Sequence, residues 1–335
     1  MSTGANVLTV SADTTTEPES GVKATSLRQQ AWRRLRRDKV AVTCMIVLSS
    51  IILLALLAPV LDAIRHSDPY ANDFQALDEN GGLPIGPFGG VSGKHWLGVQ
   101  PSDGRDILSV LLQGARISLM IAGIGTIITI LLGTVVGMVT GYLGGWVDLV
   151  VGRLMDLVLS FPVILMLIAL TPVVVQRLEA IDIFGLQLSG NSSRIVYIIL
   201  ALSLFGWPGL ARIIRGQVIS LREREFVESA VAMGATTPRI LRREVLPNLW
   251  SPLLVYTSIL LPTFITAEAS LSFLGVGILP PEITWGYLLG SSVNYYEVDP
   301  ALLFIPGILL FIVVFTFNVL GDAVRDALDP RAARQ

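Results

Sequence analysis

Residues 117–139 read ISLMIAGIGTIITILLGTVVGMV, an apolar run without Asp, Glu, Lys or Arg. A helix that crosses the hydrocarbon core of a bilayer needs roughly 20 such residues, and this run supplies them. Gly133 and Gly137 stand four residues apart, and Gly141 continues the spacing. Small residues at this spacing let two membrane helices approach closely, so the run predicts a transmembrane helix with a packing face.

Five more apolar runs bring the candidate spans to six. Two of them, 40–61 and 301–321, are equally free of charged residues, whereas the other three are shorter: 157–175, 195–211 and 249–267. Prolines in the third and fifth spans predict kinks or local breaks in their helices: Pro162, Pro172, Pro252 and Pro262.

The composition supports a membrane protein. Hydrophobic residues make up 52% of the chain and charged residues only 15%, whereas soluble domains average about 25% charged residues. The three shorter runs could alternatively be buried helices of a soluble protein, but the polar surface that such a protein needs is missing. We therefore expect an all-α, polytopic membrane protein with six transmembrane helices.

Lys and Arg residues are distributed asymmetrically around the runs. Seven precede the first run, seven lie between the fourth and fifth runs, and the connection 275–300 contains none. Because basic residues accumulate in cytoplasmic segments, both termini and the loop between the fourth and fifth runs are predicted to be cytoplasmic. The formal net charge of −2 provides no global basic field, so no nucleic-acid partner is expected.

These features divide the chain into five segments. Residues 1–26 are rich in Ser, Thr, Ala and Glu and predict a disordered cytoplasmic tail. Residues 27–39 mix basic and apolar side chains, which predicts an amphipathic helix on the inner leaflet or a solvated flank that only sets topology. The first transmembrane helix is expected over 40–61, a Gly- and Pro-rich extracytoplasmic lobe over 62–116, and the other five spans within 117–335.

The cytoplasmic loop 222–247 has the pattern of two short helices. Glu223 to Met233 has a helical composition with acidic residues in its first turns, and Gly234 stands where a C-terminal cap belongs. Thr237 is suited to cap a second helix, which is predicted to end before Pro247. An ordinary solvated loop is the alternative, and a DNA-binding helix-turn-helix fits poorly because membrane spans tether both ends.

The same loop resembles the EAA loop of ABC-importer permeases. The spacing of that motif is kept, with Ser229 in place of its middle Ala and Glu244 where Ile or His is usual. The matching positions are Glu228, Ser229, Ala230, Gly234, Leu246 and Pro247. The resemblance implies a type I ABC importer permease fold, in which this loop forms a cytoplasmic coupling helix that docks in a groove of a cytosolic ATPase.

Two further stretches resemble the dipeptide and oligopeptide class of these permeases, which also includes nickel importers. Residues 267–277, together with Pro280, Pro281, Trp285 and Gly286, are similar to the fifth span and exit loop of that class. The segment before the second span is similar to that of the C-type subunit, through residues that include His95, Gly104, Arg105 and Asp106. The resemblance implies import of peptides, with nickel or another small solute as the alternative.

The resemblance also implies partners. They are a second homologous permease subunit, one or two cytosolic ATPase subunits and an extracytoplasmic solute-binding protein, assembled in the plasma membrane of a prokaryote. ATP and Mg²⁺ would belong to the ATPase subunits. This chain is expected to be non-catalytic and to hold no cofactor or metal, because its one candidate phosphate loop, at Gly93-Lys94, has Phe88 and His95 where Gly and Ser or Thr are required.

Glu268 stands out because a carboxylate within a membrane span is costly and usually faces protein or water. It either lines the translocation path, with Ser270 and Phe273, or accepts hydrogen bonds from neighbouring backbone near the external interface. In the lobe, Arg105 and Asp106 are predicted to pair and hold the lobe against the mouth of the pore. The alternative is a plain surface ion pair of little energetic worth. A proton-coupled secondary transporter is the alternative function, but it would need ionisable residues deep in several spans.

Overall fold

The computed structural model describes residues 27–78, 82–180, 182–183, 186–187 and 190–328. The predicted tail, 1–26, therefore lies outside the described residues. The helices are α1 (Leu27–Arg37), α2 (Lys39–Leu56), α3 (Ala58–Arg65), the short turn α4 (Pro87–Gly90), α5 (Ile107–Leu143), α6 (Gly145–Leu159), α7 (Val163–Ala180), α8 (Asn191–Arg222), α9 (Glu225–Ala232), α10 (Thr237–Ile240), α11 (Trp250–Phe273), α12 (Trp285–Ser292) and α13 (Pro300–Leu328). Two strands of two residues, β1 (Asp182–Ile183) and β2 (Leu186–Gln187), pair antiparallel between α7 and α8.

Six segments of the described chain are long and apolar enough to cross a membrane, which confirms the predicted all-α, six-span organisation. They are Lys39–Leu56, Ile107–Leu143, Val163–Ala180, Asn191–Arg222, Thr237–Phe273 and Pro300–Leu328. The predicted third run, 157–175, is divided between α6 and α7, and Pro162 lies in the break between these two helices.

The closest approach between long helices is made by α5 and α8, along Gly133, Gly137 and Gly141, which we call the glycine seam. A Cβ atom added at Gly137 would lie 2.6 Å from the carbonyl oxygen of Ala211, and one at Gly141 would lie 2.8 Å from that of Arg215. Side chains larger than hydrogen are therefore excluded at both positions. The close packing that the spacing predicts is confirmed.

Helix α6 is fastened to α8 by two ion pairs. The Asp148 carboxylate accepts two hydrogen bonds from the Arg215 guanidinium, and the Arg215 Nη2–Asp148 Oδ2 distance is 2.6 Å. One helical turn away on α8, Arg212 Nη2 donates to Asp156 Oδ1 at 2.5 Å. Four apolar residues of α6 are exposed, namely Trp146, Leu149, Val150 and Leu157.

The fifth span differs from its prediction. The helix that begins at Thr237 does not end before Pro247, because it continues through a π-helical turn (Leu241–Val245) and a 3₁₀ turn (Leu246–Leu249) into α11. Pro247 has no N–H to donate, and its ring would clash with the carbonyl of Arg243 in a regular α-helix. The change in helix type accommodates the proline without ending the helix.

The N-terminal segment forms two helices that meet at Asp38. The Asp38 carboxylate caps α2 by accepting hydrogen bonds from the backbone N–H groups of Val40, at 2.8 Å, and Ala41, at 3.3 Å. Helix α1 packs against α13, and its place on the inner leaflet stays a prediction. Helix α2 ends at Leu56, before the end of the predicted run 40–61, and α3 continues beyond Leu57.

We expect Gly137→Ala to destabilise the purified protein by about 1–3 kcal/mol, because the new methyl group overpacks the contact with the Ala211 carbonyl. The measurement is thermal unfolding in detergent. Gly123→Ala is the matched control, since it lies on the same helix with no atom within 4 Å of its added Cβ. Equal melting temperatures for the two variants would contradict the assigned role of the seam.

Candidate coupling helix, membrane cavity and extracytoplasmic lobe

Helix α9 spans Glu225–Ala232, so it begins two residues later than the predicted start at Glu223, which is instead the C-cap residue of α8. Glu225 and Glu228 lie in its first turn, where negative charge complements the helix dipole. At its other end Gly234 has a φ of +80°, a conformation that glycine adopts without strain. The Gly234 N–H donates to the Val231 carbonyl at 2.9 Å, and the Ala235 N–H donates to the Ala230 carbonyl at 3.0 Å. These two bonds form a Schellman cap, so the predicted cap at Gly234 is confirmed.

The apolar residues of α9 are divided between two faces. Val227 and Ala230, which are 1% and 6% exposed, pack into a buried cluster with Val218 of α8 and Val245 of the fifth span. Three apolar residues point outward instead, namely Phe226, Val231 and Met233, and Met233 is 80% exposed. The helix is thus anchored on one side and presents an apolar surface on the other.

The residues of the predicted coupling motif lie on α9, at Gly234 after it and in the 3₁₀ turn before α11, and they differ in exposure. Ala230 is buried and Leu246 is half-buried, whereas four are exposed: Glu228, Ser229, Gly234 and Pro247. Glu228 lines a cavity of about 520 Å³ with Tyr142 and Arg222. The second short helix begins one residue earlier than predicted, with Thr236 at the N-cap position in place of Thr237.

A cavity of about 560 Å³ lies within the membrane-spanning region, between α7, α8, α11 and α13. Its lining is mainly apolar and includes Phe205, Leu260 and Phe264. The polar groups in the lining are uncharged hydroxyls and an amide, contributed by Tyr256, Thr263, Thr266, Ser270 and Asn318. Among the predicted path residues, Ser270 therefore faces this cavity.

Glu268 faces protein, not the cavity. It is fully buried, and its two carboxylate oxygens accept hydrogen bonds from the hydroxyls of Ser118, at 2.7 Å, and Ser272, at 2.8 Å. The Ser272 hydroxyl in turn accepts a hydrogen bond from the Ile278 N–H at 3.2 Å. Glu268 therefore joins α5, α11 and the loop after α11. Phe273 is half-exposed and is not part of the cavity lining given by the described residues.

The loop between α11 and α12 is held by three residues from two other segments. Arg194 and Asn191 both lie in the first turn of α8, and they donate to the Gly277 carbonyl at 3.1 Å and the Leu279 carbonyl at 2.5 Å. Arg105, from the segment before α5, donates to the Pro281 carbonyl at 3.1 Å. These contacts fix the loop between the lobe and the membrane-spanning helices.

Asp106 is the centre of the polar contacts in the predicted lobe before α5. It caps α5 by accepting a hydrogen bond from the Ser109 N–H at 2.9 Å, and it is 3% exposed. The Arg65 guanidinium donates to both of its carboxylate oxygens, at 3.1 Å and 3.3 Å. The predicted pair of Arg105 with Asp106 is wrong, because Arg105 turns to Asp103 and Pro281 while Arg65 reaches Asp106 from the end of α3.

His95 extends this network to a second carboxylate. Its Nδ1 lies 3.0 Å from Asp106 Oδ1, and its Nε2 lies 3.2 Å from Asp73 Oδ2. Lys94 also contacts Asp73, with an Nζ–Oδ2 distance of 2.5 Å. The hydrogen bond from Lys94 is the main cause that lowers the pKa of Asp73. Burial alone would raise the pKa of Asp106, but hydrogen bonds from Arg65, Ser109 and His95 lower it below its usual range.

Two family comparisons cover most of the chain. Residues 133–334 match the binding-protein-dependent transport system inner membrane component family. The chain belongs to this permease family. Residues 26–81 match the N-terminal transmembrane domain of oligopeptide transport permease C, which places the chain in the C-type group and confirms the resemblance inferred from its motifs.

Related proteins cover the permease almost end to end. The oligopeptide transport system permease protein OppC of Escherichia coli K12 is 36% identical over 310 residues, which are 92% of this chain and 93% of the relative. The dipeptide transport system permease protein DppC of Alkalihalophilus pseudofirmus is 31% identical over 94% of this chain and 93% of its own length. A solved structure of the MetNI methionine ABC transporter in an inward-facing conformation is 21% identical to this chain. The two superpose with a TM-score of 0.50 over 65% of this chain and 95% of that chain, so they share a fold.

Membership of this family and the six apolar helices make the permease a multi-pass protein of the inner membrane, as predicted. Its function is that of a membrane permease subunit in an ABC transport system. Sequence reasoning missed three residues that fasten the lobe and the loop after α11, namely Arg65, Asn191 and Arg194. Each lies in the first or last turn of a helix, and a polar side chain at such a position is the signal that could have identified it.

We expect Asp106→Asn to loosen the lobe of this permease. Asn still caps α5, but it removes the charge that compensates the buried Arg65 guanidinium. Breaking such a pair costs about 3 kcal/mol, so amide hydrogen exchange over 95–109 would become roughly 100-fold faster. Asp68→Asn, an exposed control whose side-chain oxygen can still accept the Tyr70 N–H, is expected to leave that exchange unchanged.

The same contact gives the lobe a defined pH dependence. Because the pKa of Asp106 is lowered by folding, its stabilising contribution is fully present above the unfolded value of about 3.9 and is lost as the pH falls through the lower, folded value. Exchange in the wild-type lobe, corrected for intrinsic rates, should therefore accelerate in acid, and the Asp106→Asn variant should show a flatter profile. Parallel pH profiles would contradict this assignment.

Proposed function

We propose that this chain forms half of the translocation path of an ATP-driven peptide importer, and that α9 transmits movement from a cytosolic ATPase to that path. The observation that carries the proposal is the two-faced α9, which is anchored through Val227 and Ala230 and exposes Phe226, Val231 and Met233. An exposed apolar surface on a helix that connects two membrane spans is suited to dock into a partner.

The route from α9 to the cavity is short and continuous. The cluster that holds Val227 and Ala230 contains Val218 of α8 and Leu253 of α11. The same two helices line the membrane cavity, through Gly209 on α8 and Tyr256 on α11. Because close-packed interiors transmit displacement, movement of α9 would shift two walls of the cavity together.

The proposed assembly includes proteins beyond this chain. A second homologous permease subunit would complete the path, one or two ATPase subunits would bind α9 and supply ATP and Mg²⁺, and a solute-binding protein would dock on the extracytoplasmic side. Both termini and α9 would then be cytoplasmic, in agreement with the distribution of Lys and Arg. This chain would contribute no catalytic residue, and hydrolysis in the partner would bias two states of the permease.

Peptides fit the cavity chemistry. Hydroxyl and amide groups from Tyr256, Ser270 and Asn318 can exchange hydrogen bonds with peptide N–H and C=O groups, and the apolar wall accommodates varied side chains. The oligopeptide and dipeptide systems of the relatives support the same solute class. Recognition of the backbone, with a lining that carries no charge, would permit many peptide sequences to pass.

We expect Met233→Asp to lower the ATPase subunits retained on the affinity-purified complex and the peptide uptake by about tenfold or more, because it introduces a charge into the apolar docking face. The variant should fold, since Met233 is mostly exposed. Val298→Asp is the matched control. It makes the same change from an exposed apolar side chain to an acidic one, on the opposite side of the membrane in the proposed topology, and should leave ATPase retention unchanged. Normal retention and uptake by Met233→Asp would refute the docking role.

Glu228→Lys tests the predicted anchor within the motif. Reversing this exposed charge should reduce stimulated ATPase activity, because a charge-assisted contact with the partner would become repulsive. The measurement is ATP hydrolysis by the reconstituted complex with and without the solute-binding protein. Stimulation equal to that of the wild type would remove Glu228 from the proposed interface.

The solute class is tested by uptake into proteoliposomes that contain the complete complex and its solute-binding protein. ATP-dependent accumulation of tri-alanine is the expected result. Accumulation of Ni²⁺ without tri-alanine would overturn the peptide assignment while leaving the coupling role intact. Solute uptake without ATP would overturn the coupling role itself.

A further inference from the structure

A groove of about 440 Å³ lies between α1 and α2 and shares no lining residue with the membrane cavity. Trp32 and Arg36 line it from α1, and Val42, Met45, Ile46 and Leu53 are among the residues that line it from α2. Ile46 and Leu53 are more than half exposed, so the groove is open along its side. One end of the groove is basic and aromatic, through Arg36 and Trp32, and the other end is mainly aliphatic.

The basic end is strongly cationic. Arg33, Arg36, Arg37 and Lys39 are all exposed there. The one acidic residue among them, Asp38, uses a carboxylate oxygen to cap α2. The Arg36 guanidinium lies over the Trp32 ring, 4.8 Å from its centroid, which orients it at the rim of the groove. Arg36 itself lines the groove, and the exposed cations next to it in the chain make this end favourable for an anion.

The depth of the groove matches one leaflet. From Val42 to Leu53, α2 rises eleven residues, or about 16 Å at 1.5 Å per residue. Half of a hydrocarbon core of roughly 30 Å is about 15 Å. The aliphatic part of the groove therefore extends from the level of the basic end to about the middle of the bilayer, which is the length of one acyl chain.

We propose that this groove binds an anionic phospholipid. Its phosphate would pair with Arg36 and the neighbouring arginines, since guanidinium groups bind phosphate through paired hydrogen bonds. One acyl chain would lie along Val42, Ile46 and Leu53. In the proposed topology, which has a cytoplasmic N-terminus, this lipid belongs to the cytoplasmic leaflet. Because α1 also packs on α13, the lipid would hold the N-terminal helix against the permease core.

The test is native mass spectrometry of the complete complex, exchanged in detergent with phosphatidylglycerol or phosphatidylcholine. We expect wild type to retain phosphatidylglycerol in preference to phosphatidylcholine, and Arg36→Gln to reduce its retention by about tenfold. Arg177→Gln, which removes an exposed cation at the end of α7, is the matched control and should retain as much as wild type. Equal retention of the two lipids, or no effect of Arg36→Gln, would overturn the proposal.

Ile46→Trp provides a second and independent variant, because it fills the aliphatic part of the groove and keeps every cation. Loss of phosphatidylglycerol from this variant is expected, whereas unchanged retention would mean that the lipid lies elsewhere. Cross-linking from Ile46→Cys distinguishes a protein occupant. Efficient cross-linking to the partner permease would show that a subunit covers the groove and would overturn the lipid assignment. Failure of peptide uptake in the earlier experiment leaves this result unaffected, because lipid retention is measured without transport.

Discussion

The close approach of α5 to α8 is the constraint on which the other contacts depend. At Gly137 and Gly141, backbone of one helix nearly meets backbone of the other, and this geometry sets the position of α8 along its length. In a bilayer the hydrophobic effect does not drive helices together, so such packing has to supply much of the attraction. The last turns of α8 then carry Val218, against which α9 packs. The position of α9 is thus set by glycines in the last turns of α5.

Polar contacts secure the ends of this framework. At one end, Arg65, His95 and Asp106 join the lobe to the first turn of α5, and Arg194 fixes the loop after α11. On the other side, Asp148 and Arg215 join α6 to α8. These groups are partly or wholly withdrawn from water, where an unpaired charge is costly and a paired one is directional. Each pair therefore specifies one arrangement of segments that apolar packing alone would leave free to slide.

The sequence was sufficient to predict what depends on local pattern. Run length gave the six spans, small-residue spacing gave the glycine seam, and the cap at Gly234 followed from the need for a positive φ at the end of α9. Predictions failed where the partner of a charged residue is set by the tertiary fold and lies far away in the sequence. Asp106 pairs with Arg65, which is 41 residues away, and not with its neighbour Arg105. The helix that was predicted to end before Pro247 also continues past it, because the change to π-helical and 3₁₀ turns accommodates a residue without an N–H. The residues facing the cavity, such as Asn318, carry no distinctive local pattern.

The separation of anchoring and exposed residues on α9 has a consequence for how such a permease can diversify. Val227 and Ala230 are bound to the packing of the membrane domain, and any change there disturbs the fold. Phe226, Val231 and Met233 are exposed, so substitutions there disturb the packing less. In the proposed assembly, in which α9 docks on an ATPase, one membrane architecture could therefore be matched to a different ATPase through a few substitutions on and just after an eight-residue helix, and two such transporters could bind different ATPases by the same means.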